Sequence, residues 1–123
     1  MGLMLLWQRA SLFDVRIITV KGEVMIVELS VIPIGVETSL SKYVAEVMKI
    51  IESSGLKYES HSMGTNIECG WDDVTPLVRK CHERLSEMGV ERISTLLRIS
   101  DRRDKPYTIE GKMKSLEEKL SEK

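Results

Sequence analysis

Apolar and polar residues alternate along two stretches of the chain. From Val24 to Ile32 every second residue is apolar, and the intervening positions include Glu28. Arg92 to Ser100 alternates in the same way. Because successive side chains of a strand point to opposite faces of a sheet, both stretches predict strands. We expect Pro33 and Gly35 to end the first of them.

Three other segments repeat apolar residues at the spacing of an amphipathic helix. We expect Thr38 or Ser39 to cap the first helix. Asp72 or Asp73 would cap the second helix, and Thr108 the third. A glycine follows each of the first two segments, as is common where helices end. The apolar stripes are Leu40, Val44, Val47 and Ile51 in the first, Val74, Leu77, Val78, Cys81, Leu85 and Met88 in the second, and Ile109, Met113, Leu116 and Leu120 in the third.

Two further strands are predicted between the first two helices, at Lys57 to Ser62 and Thr65 to Cys69, joined through Met63-Gly64 as a hairpin. The element order is then βαββαβ with an additional C-terminal helix. This order predicts an α+β fold, a ferredoxin-like sandwich with two crossover helices on one side of a four-stranded antiparallel sheet. The first and third strands would form its central pair, and its other face would be open in a single chain.

Residues 1–24 differ in pattern from the rest and are interpreted as an N-terminal extension of the domain formed by residues 25–123. They contain a candidate short strand, Val15 to Val20, which Lys21-Gly22 would end. An upstream start codon assigned in error explains the extension equally well.

Charge and cysteine content narrow the function classes. The 123 residues carry 18 Lys and Arg against 19 Asp and Glu, a net charge of −1, which lacks the basic footprint of a nucleic-acid-binding protein. RNA-recognition modules stack bases on aromatic residues of the two central strands, and the predicted open face has none there.

The two cysteines form neither a CxxC motif nor a zinc site, which favours a reducing, cytoplasmic location. No apolar run reaches the roughly 20 residues of a membrane span.

The face of the first strand that turns away from the helices mixes polar and apolar residues. Glu28 and Ser30 lie there between Ile26 and Ile32. One interpretation is a cross-strand ion pair between Glu28 and Arg98, which would contribute at most about 1 kcal/mol when exposed.

The alternative interpretation of this face is a binding site closed by association. A partner chain would cover it through the apolar residues Ile26, Ile32 and Leu96. The remaining polar pocket would be lined by Glu28, Ser30 and Glu68. A buried carboxylate of this kind selects a cationic or amine-bearing guest.

The remaining candidate sites have simpler explanations. We expect His61 and His82 to lie at the surface, in contact with solvent. Arg102 and Arg103 alternate with acidic residues and are expected to form a solvated, self-neutralising loop. Motifs of hydrolases, kinases, dinucleotide-binding proteins and zinc proteases do not occur, so Glu28 with Arg98 is the one visible acid–base pair for a small enzyme.

Four blocks of the sequence together resemble the small thiamine-binding protein family. They are Val27 to Gly35 with Ser39 to Glu46, Leu56 to Glu59 followed by Met63 to Glu68, Val78 to Leu85, and Asp101 to Pro106. The resemblance spans Met25 to Leu120. It implies the ferredoxin-like fold, homodimers that assemble into homotetramers through their sheets, and binding of thiamine or its pyrimidine moiety without catalysis and without a required cofactor.

The resemblance also implies a set of ligand-binding positions. They are Glu28, Ser30, Ile32, Ser39, Met63, Thr65 and Glu68. Thiamine carries a fixed thiazolium charge and an aminopyrimidine ring, for which a carboxylate, hydroxyl groups and an apolar wall are suitable partners. Two alternatives stay open: a structural or regulatory oligomer without a small ligand, and a small ferredoxin-like enzyme that uses a carboxylate.

Overall fold

A computed structural model describes residues 24–122. The candidate strand Val15 to Val20 lies outside the described residues. So do residues 1–23, to which the alternatives of a native extension and an erroneous start codon apply. The elements are β1 (Met25–Ile34), α1 (Ser41–Ser53), β2 (Lys57–His61), β3 (Gly64–Cys69), α2 (Trp71–Glu87), β4 (Arg92–Ser100) and α3 (Ile109–Ser121).

The strands form one antiparallel sheet in the order β2-β3-β1-β4. Glu28 pairs in register with Asn66 of β3 and with Arg98 of β4. The predicted βαββαβ order, its C-terminal helix and the central pair of the first and third strands are therefore confirmed.

The core lies between the sheet and helices α1 and α2. Burial alternates strictly along the first part of β1, where Met25 and Val27 are fully buried and the residues between them are partly exposed. This alternation assigns the apolar residues of the strand to the helix side. The buried cluster consists of Met25, Val27, Leu29, Val31, Tyr43, Val47, Ile51, Ile67, Cys69, Val74, Leu77, Cys81, Leu85 and Val90.

The first strand continues past the predicted stop. Pro33 lies inside β1 and pairs in register with Ile93 of β4. A proline is tolerated there because β3 pairs with β1 only from Met25 to Leu29, so this end of β1 has a single paired neighbour. The chain leaves the sheet at Gly35, whose φ of 80° is the left-handed conformation that glycine adopts readily.

Of the three predicted helix caps, the one of α1 is wrong and the one of α2 acts from a different position. Helix α1 follows Leu40, which provides no side-chain cap, and neither Thr38 nor Ser39 takes this role. Helix α2 follows Gly70, whose N–H donates to the Asp73 carboxylate at 2.9 Å. The acidic residue thus acts from within the first turn, where the helix dipole favours a negative charge.

The third cap and the helix ends agree with the sequence. The Thr108 hydroxyl accepts a hydrogen bond from the N–H of Gly111 at 2.9 Å. Gly55 and Gly89 follow α1 and α2 with positive φ angles. Helix α1 buries Tyr43 in addition to Val47 and Ile51, whereas Val44 of the predicted stripe is exposed. Among the described residues, no helix is both long and apolar enough to cross a bilayer.

Candidate functional site

The side of the sheet opposite α1 and α2, here called the open face, carries the polar and ionisable residues that could bind a ligand. Strand register and the alternation of burial place Ile26, Glu28, Ser30 and Ile32 of β1 on this face. Their neighbours there are Lys57, Glu59 and His61 of β2, Asn66 and Glu68 of β3, and Ser94, Leu96, Arg98 and Ser100 of β4.

Glu28, His61 and Asn66 meet near the centre of the open face. His61 Nε2 lies 3.3 Å from Glu28 Oε2 and 3.3 Å from Asn66 Oδ1. The side chains of His61 and Glu28 are 33% and 41% exposed, so a molecule lying on the sheet could reach both. We call these three residues the polar cluster.

The backbone fixes the protonation pattern of the neutral His61 ring. The N–H of Met63 donates to His61 Nδ1 at 3.3 Å, so Nδ1 is an acceptor and the proton of the neutral ring is on Nε2. Both neighbours of Nε2 are oxygens, which matches this tautomer. In this tautomer the Nε2–H donates a hydrogen bond to Asn66 Oδ1 and also faces Glu28 Oε2.

The predicted ion pair between Glu28 and Arg98 is wrong. The two residues are register partners, but the Glu28 carboxylate lies against His61, and none of the ion pairs within residues 24–122 includes Arg98. The acid–base pair considered for an enzyme is consequently absent from the described structure. Glu28 has no Lys or Arg partner within the same residues.

An apolar area adjoins the polar cluster. Ile32, Ile34 and Leu96 lie on the open face and are 43%, 39% and 66% exposed. Ser30 pairs in register with Leu96 and separates Glu28 from Ile32 along β1. The open face thus offers a carboxylate, an amide and an imidazole beside an uncovered aliphatic surface.

Glu68 lies on the open face but is already engaged. Its Oε1 accepts a hydrogen bond from the N–H of Ile109 at 2.9 Å, and so anchors the first turn of α3 to the sheet. An ion pair of 3.4 Å between Lys57 of β2 and Glu110 also links α3 to the sheet, and Ile109 is buried. The carboxylate predicted to bind a ligand therefore holds the C-terminal helix.

The other predicted positions are dispersed. Thr65 is 4% exposed on the helix side of the sheet, where its hydroxyl donates to Met48 Sδ at 3.4 Å. Met63 lies in the hairpin turn and is 80% exposed. Ser39 lies in the loop before α1, and its hydroxyl lies 3.2 Å from that of Ser41. Of the seven predicted residues, the structure brings only Glu28, Ser30, Ile32 and Glu68 onto one face.

The ligand-binding positions predicted from the sequence include neither His61 nor Asn66. His61 lies at the surface as expected, but the short turn of the hairpin pairs it with Gly64 and places it on the open face beside Asn66. The hairpin contained the necessary signal. Counting back from a turn at Met63 puts Lys57, Glu59 and His61 on one side of β2, together with Asn66 of β3.

His82, expected at the surface, is instead partly buried. Its Nε2 is hydrogen-bonded to the Thr95 hydroxyl, in a contact between α2 and β4.

The charged loop after β4 has the predicted self-neutralising arrangement, since Arg102 pairs with Asp104 and Arg103 pairs with Asp101. These arginines are thus neutralised by their own neighbours.

The two cysteines lie in the core and are free. Burial raises the pKa of Cys81 to about 11. The pKa of Cys69 is raised to about 12, by burial first and by the nearby charge of Asp73 second. Both thiols are therefore protonated at neutral pH and unsuited to nucleophilic chemistry. Within residues 24–122, no group of His, Cys, Asp and Glu has the arrangement of a metal site.

Two concavities of about 390 and 370 Å³ lie on the helix side of the sheet, away from the polar cluster. The first is between α1 and α2, next to the 2.7 Å ion pair of Glu46 and Arg84. The second is lined by α2 and Leu97 of β4. We place the candidate site on the open face because Glu28, unlike Glu46, has no lysine or arginine against it among the described residues.

Comparison with known proteins identifies relatives over most of the chain. The family model for thiamine-binding proteins matches residues 27–117. A UPF0045 protein of Synechocystis is 43% identical over 98 residues, covering 80% of this chain and 81% of the relative. The UPF0045 protein YqgV of Bacillus subtilis is 40% identical over 100 residues, covering 77% and 96% of the two chains.

Solved structures give the same fold. A hypothetical protein from Methanocaldococcus jannaschii superimposes with a TM-score of 0.72 at 33% identity, covering 78% of this chain and 98% of that one. A Thermotoga maritima protein described as a candidate for thiamine biosynthesis or salvage superimposes with a TM-score of 0.66. This match has 24% sequence identity and covers 76% of this chain and 98% of the Thermotoga protein. The similarity is therefore one of fold alone.

Proposed function

Because the chain belongs to the thiamine-binding protein family, we propose that it is a non-enzymatic binding protein for thiamine or its pyrimidine moiety, and that the ligand lies on the open face against the polar cluster. The observation that carries this proposal is Glu28. It is a partly exposed carboxylate that contacts a histidine and has no lysine or arginine against it in the described residues. Such a group attracts an amine or a cation.

The aliphatic area beside the cluster supports the second part of the proposal, that the open face works in a homo-oligomer. Ile32, Ile34 and Leu96 leave an uncovered apolar surface at the side of the polar cluster. A second copy that covers this surface would exclude water from the cluster and strengthen its electrostatic interactions. We propose a homodimer that pairs through its sheets into a homotetramer, with the ligand enclosed at the sheet face.

The absence of catalysis is also part of the proposal. The open face offers Glu28 without a contacting Arg98, and the buried thiols are protonated. Binding needs no cofactor in this scheme. Two free cysteines in the core agree with a cytoplasmic, reducing location.

Calorimetric titration with thiamine tests the proposal. We expect saturable binding to the wild-type protein and about 10- to 100-fold weaker binding to Glu28→Gln, the range that one charge-assisted hydrogen bond supplies. Glu52→Gln, the same change on the exposed side of α1, is the matched control and should bind like the wild type.

Native mass spectrometry of the same samples gives the subunit number and any retained small molecule. A flat titration at millimolar thiamine would contradict thiamine binding. A tetramer that binds nothing would instead support the structural-oligomer alternative.

A further inference from the structure

We propose that the groove between α1 and α2 is a second binding site, for a small zwitterion whose ammonium and carboxylate groups are about 10 Å apart. The groove has a volume of about 390 Å³, within the range of roughly 300–1,000 Å³ that is usual for small-molecule sites. It lies on the opposite side of the sheet from the polar cluster, so this inference goes beyond the proposed function and does not depend on it.

The floor of the groove is apolar. Leu77 of α2 is buried in the core, and the partly buried Ile50 and Leu56 pack beside it. Pro76 also lines the groove, on the α2 side. This surface suits an aliphatic group in the middle of a ligand.

The charged residues of the α2 wall are arranged by sign. Asp72 and Asp73 lie in the first turn of the helix, whereas Lys80 and Arg84 follow about two to three turns later. The Asp73 carboxylate is occupied by the N–H of Gly70. One end of this wall is therefore acidic and the other is basic.

Only some of these charges are neutralised by the chain itself. At the basic end, Arg84 and Lys49 share Glu46, at 2.7 and 3.2 Å. Asp72 and Lys80, by contrast, form neither an ion pair nor a side-chain hydrogen bond with any other described residue. The groove therefore offers one uncommitted carboxylate and one uncommitted ammonium, both of them exposed.

Pro76 leaves a further acceptor beside the Asp72 carboxylate. A helical carbonyl normally accepts a hydrogen bond from the N–H four residues later, and Pro76 has no N–H to donate to the carbonyl of Asp72. The Ser53 hydroxyl lies on the facing wall and forms no side-chain hydrogen bond within the described part of the chain. An ammonium group, which has three donors, complements this set of acceptors.

The spacing of the two uncommitted charges selects the ligand. Lys80 follows Asp72 by eight positions, which places them about 12 Å apart along the helix axis. A single amino acid cannot reach both, since one carbon atom separates its two charged groups. The termini of an extended tripeptide are roughly 10 Å apart, and the flexible Lys80 side chain can cover the difference. A tripeptide with a central aliphatic residue thus matches both charges and the floor.

Glycyl-leucyl-glycine with free termini is the probe, titrated into the isotope-labelled wild-type protein and followed through amide chemical shifts. We expect saturable binding at millimolar concentration, with the largest shift changes around Ser53, Leu56 and Leu77. Three comparison compounds each lack one feature: the acetylated and amidated peptide lacks charge, free leucine lacks the span, and triglycine lacks the aliphatic side chain. Each should bind about fivefold or more weakly than the probe.

Single variants assign the two ends of the ligand. Asp72→Asn should weaken binding of the free peptide about three- to fivefold. It should leave binding of the N-acetylated peptide unchanged, because that peptide has no ammonium group for Asp72. Lys80→Gln should weaken the binding of both peptides. Glu52→Gln and Lys114→Gln change exposed residues outside the groove; they are the matched controls and should bind like the wild type.

Equal binding of the free and the doubly blocked peptide would overturn the inference, as would shift changes confined to the open face. The inference would also be wrong if Asp72→Asn weakened the free and the N-acetylated peptide equally, or if the free peptide did not bind at millimolar concentration. None of these results bears on thiamine binding, which its own titration tests at the polar cluster.

Discussion

The two sides of the sheet use the same strands for different purposes. On the helix side, Met25, Val27 and Ile67 are fully buried. On the open face, the intervening residues of β1 are partly exposed and include a carboxylate. A period of two along each strand thus separates the residues that hold the fold together from those available for binding.

Two carboxylates make the difference concrete. In the helix layer, Glu46 receives a 2.7 Å contact from Arg84 and a 3.2 Å contact from Lys49. On the open face, Glu28 faces a histidine and an asparagine in the described structure. Glu46 is structural because cationic side chains of its own chain neutralise it, whereas Glu28 keeps one carboxylate oxygen available to a ligand.

Truncation of an isoleucine should give very different results on the two sides. Ile67→Ala removes a fully buried side chain of β3 and should lower the free energy of unfolding by about 2–5 kcal/mol, since it combines lost burial with a cavity. Urea unfolding, followed by circular dichroism at low protein concentration, provides the measurement.

Ile32→Ala is the matched control, because Ile32 is 43% exposed on the open face. We expect Ile32→Ala to lower the free energy of unfolding of a dissociated chain by less than about 1 kcal/mol. If the two variants lost equal amounts of unfolding free energy under these conditions, the open face would not be distinct from the buried side of the sheet.

Glu68 lies on the open face, but its carboxylate is used structurally. Glu68→Ala should destabilise the protein by about 1–2 kcal/mol, the range of a hydrogen bond between a charged group and a partly buried donor. Hydrogen exchange should quicken at Ile109, whose N–H loses its acceptor. Unchanged exchange at Ile109 would contradict the anchoring role. Thr108→Ala is a useful comparison, since it removes the other cap of the same helix.

The smallest expected effect is the pH dependence of the helix-layer ion pair. Hydrogen bonds from Arg84, and then from Lys49, lower the pKa of Glu46 below its ordinary value of 4.5. Because the pKa is lower in the folded protein than in the unfolded chain, the contribution to stability is complete above about pH 4.5 and is lost as the pH falls through the folded value.

Urea midpoints of wild type and Arg84→Gln should therefore differ near pH 6 and converge as the pH falls below the folded pKa of Glu46. A difference that grows on acidification would have the wrong sign for this explanation. Glu28→Gln, measured alongside, tests whether the open-face carboxylate lacks such a stabilising partner.

Most of the fold was predictable because it depends on periodicity. Alternation along β1 and β4, helical spacing in α1 and α2, and glycines after both helices were sufficient for the βαββαβ order. The errors arose where tertiary context overrides local preference. Pro33 stays in a strand because only β4 pairs with β1 there, and Asp73 caps α2 from its first turn.

The candidate site was predictable only in part. Alternation places Glu28 and Ile32 on the open face, but it cannot reveal which side chain Glu28 contacts. Resemblance to a family supplied Thr65 as a ligand position, although the side chain of Thr65 points into the core. Position in a motif therefore did not fix the face on which a residue lies.

The sheet, its two unlike faces and the family follow from the order and spacing of residue types along the chain, so all three could be predicted without a structure. The partners of Glu28 and Glu68, two of the carboxylates on the open face, could not: His61 lies against Glu28, and the N–H of Ile109 donates to Glu68. These contacts join residues 33 and 41 positions apart. They depend on strand register and on where α3 begins, and local sequence patterns do not specify either in advance.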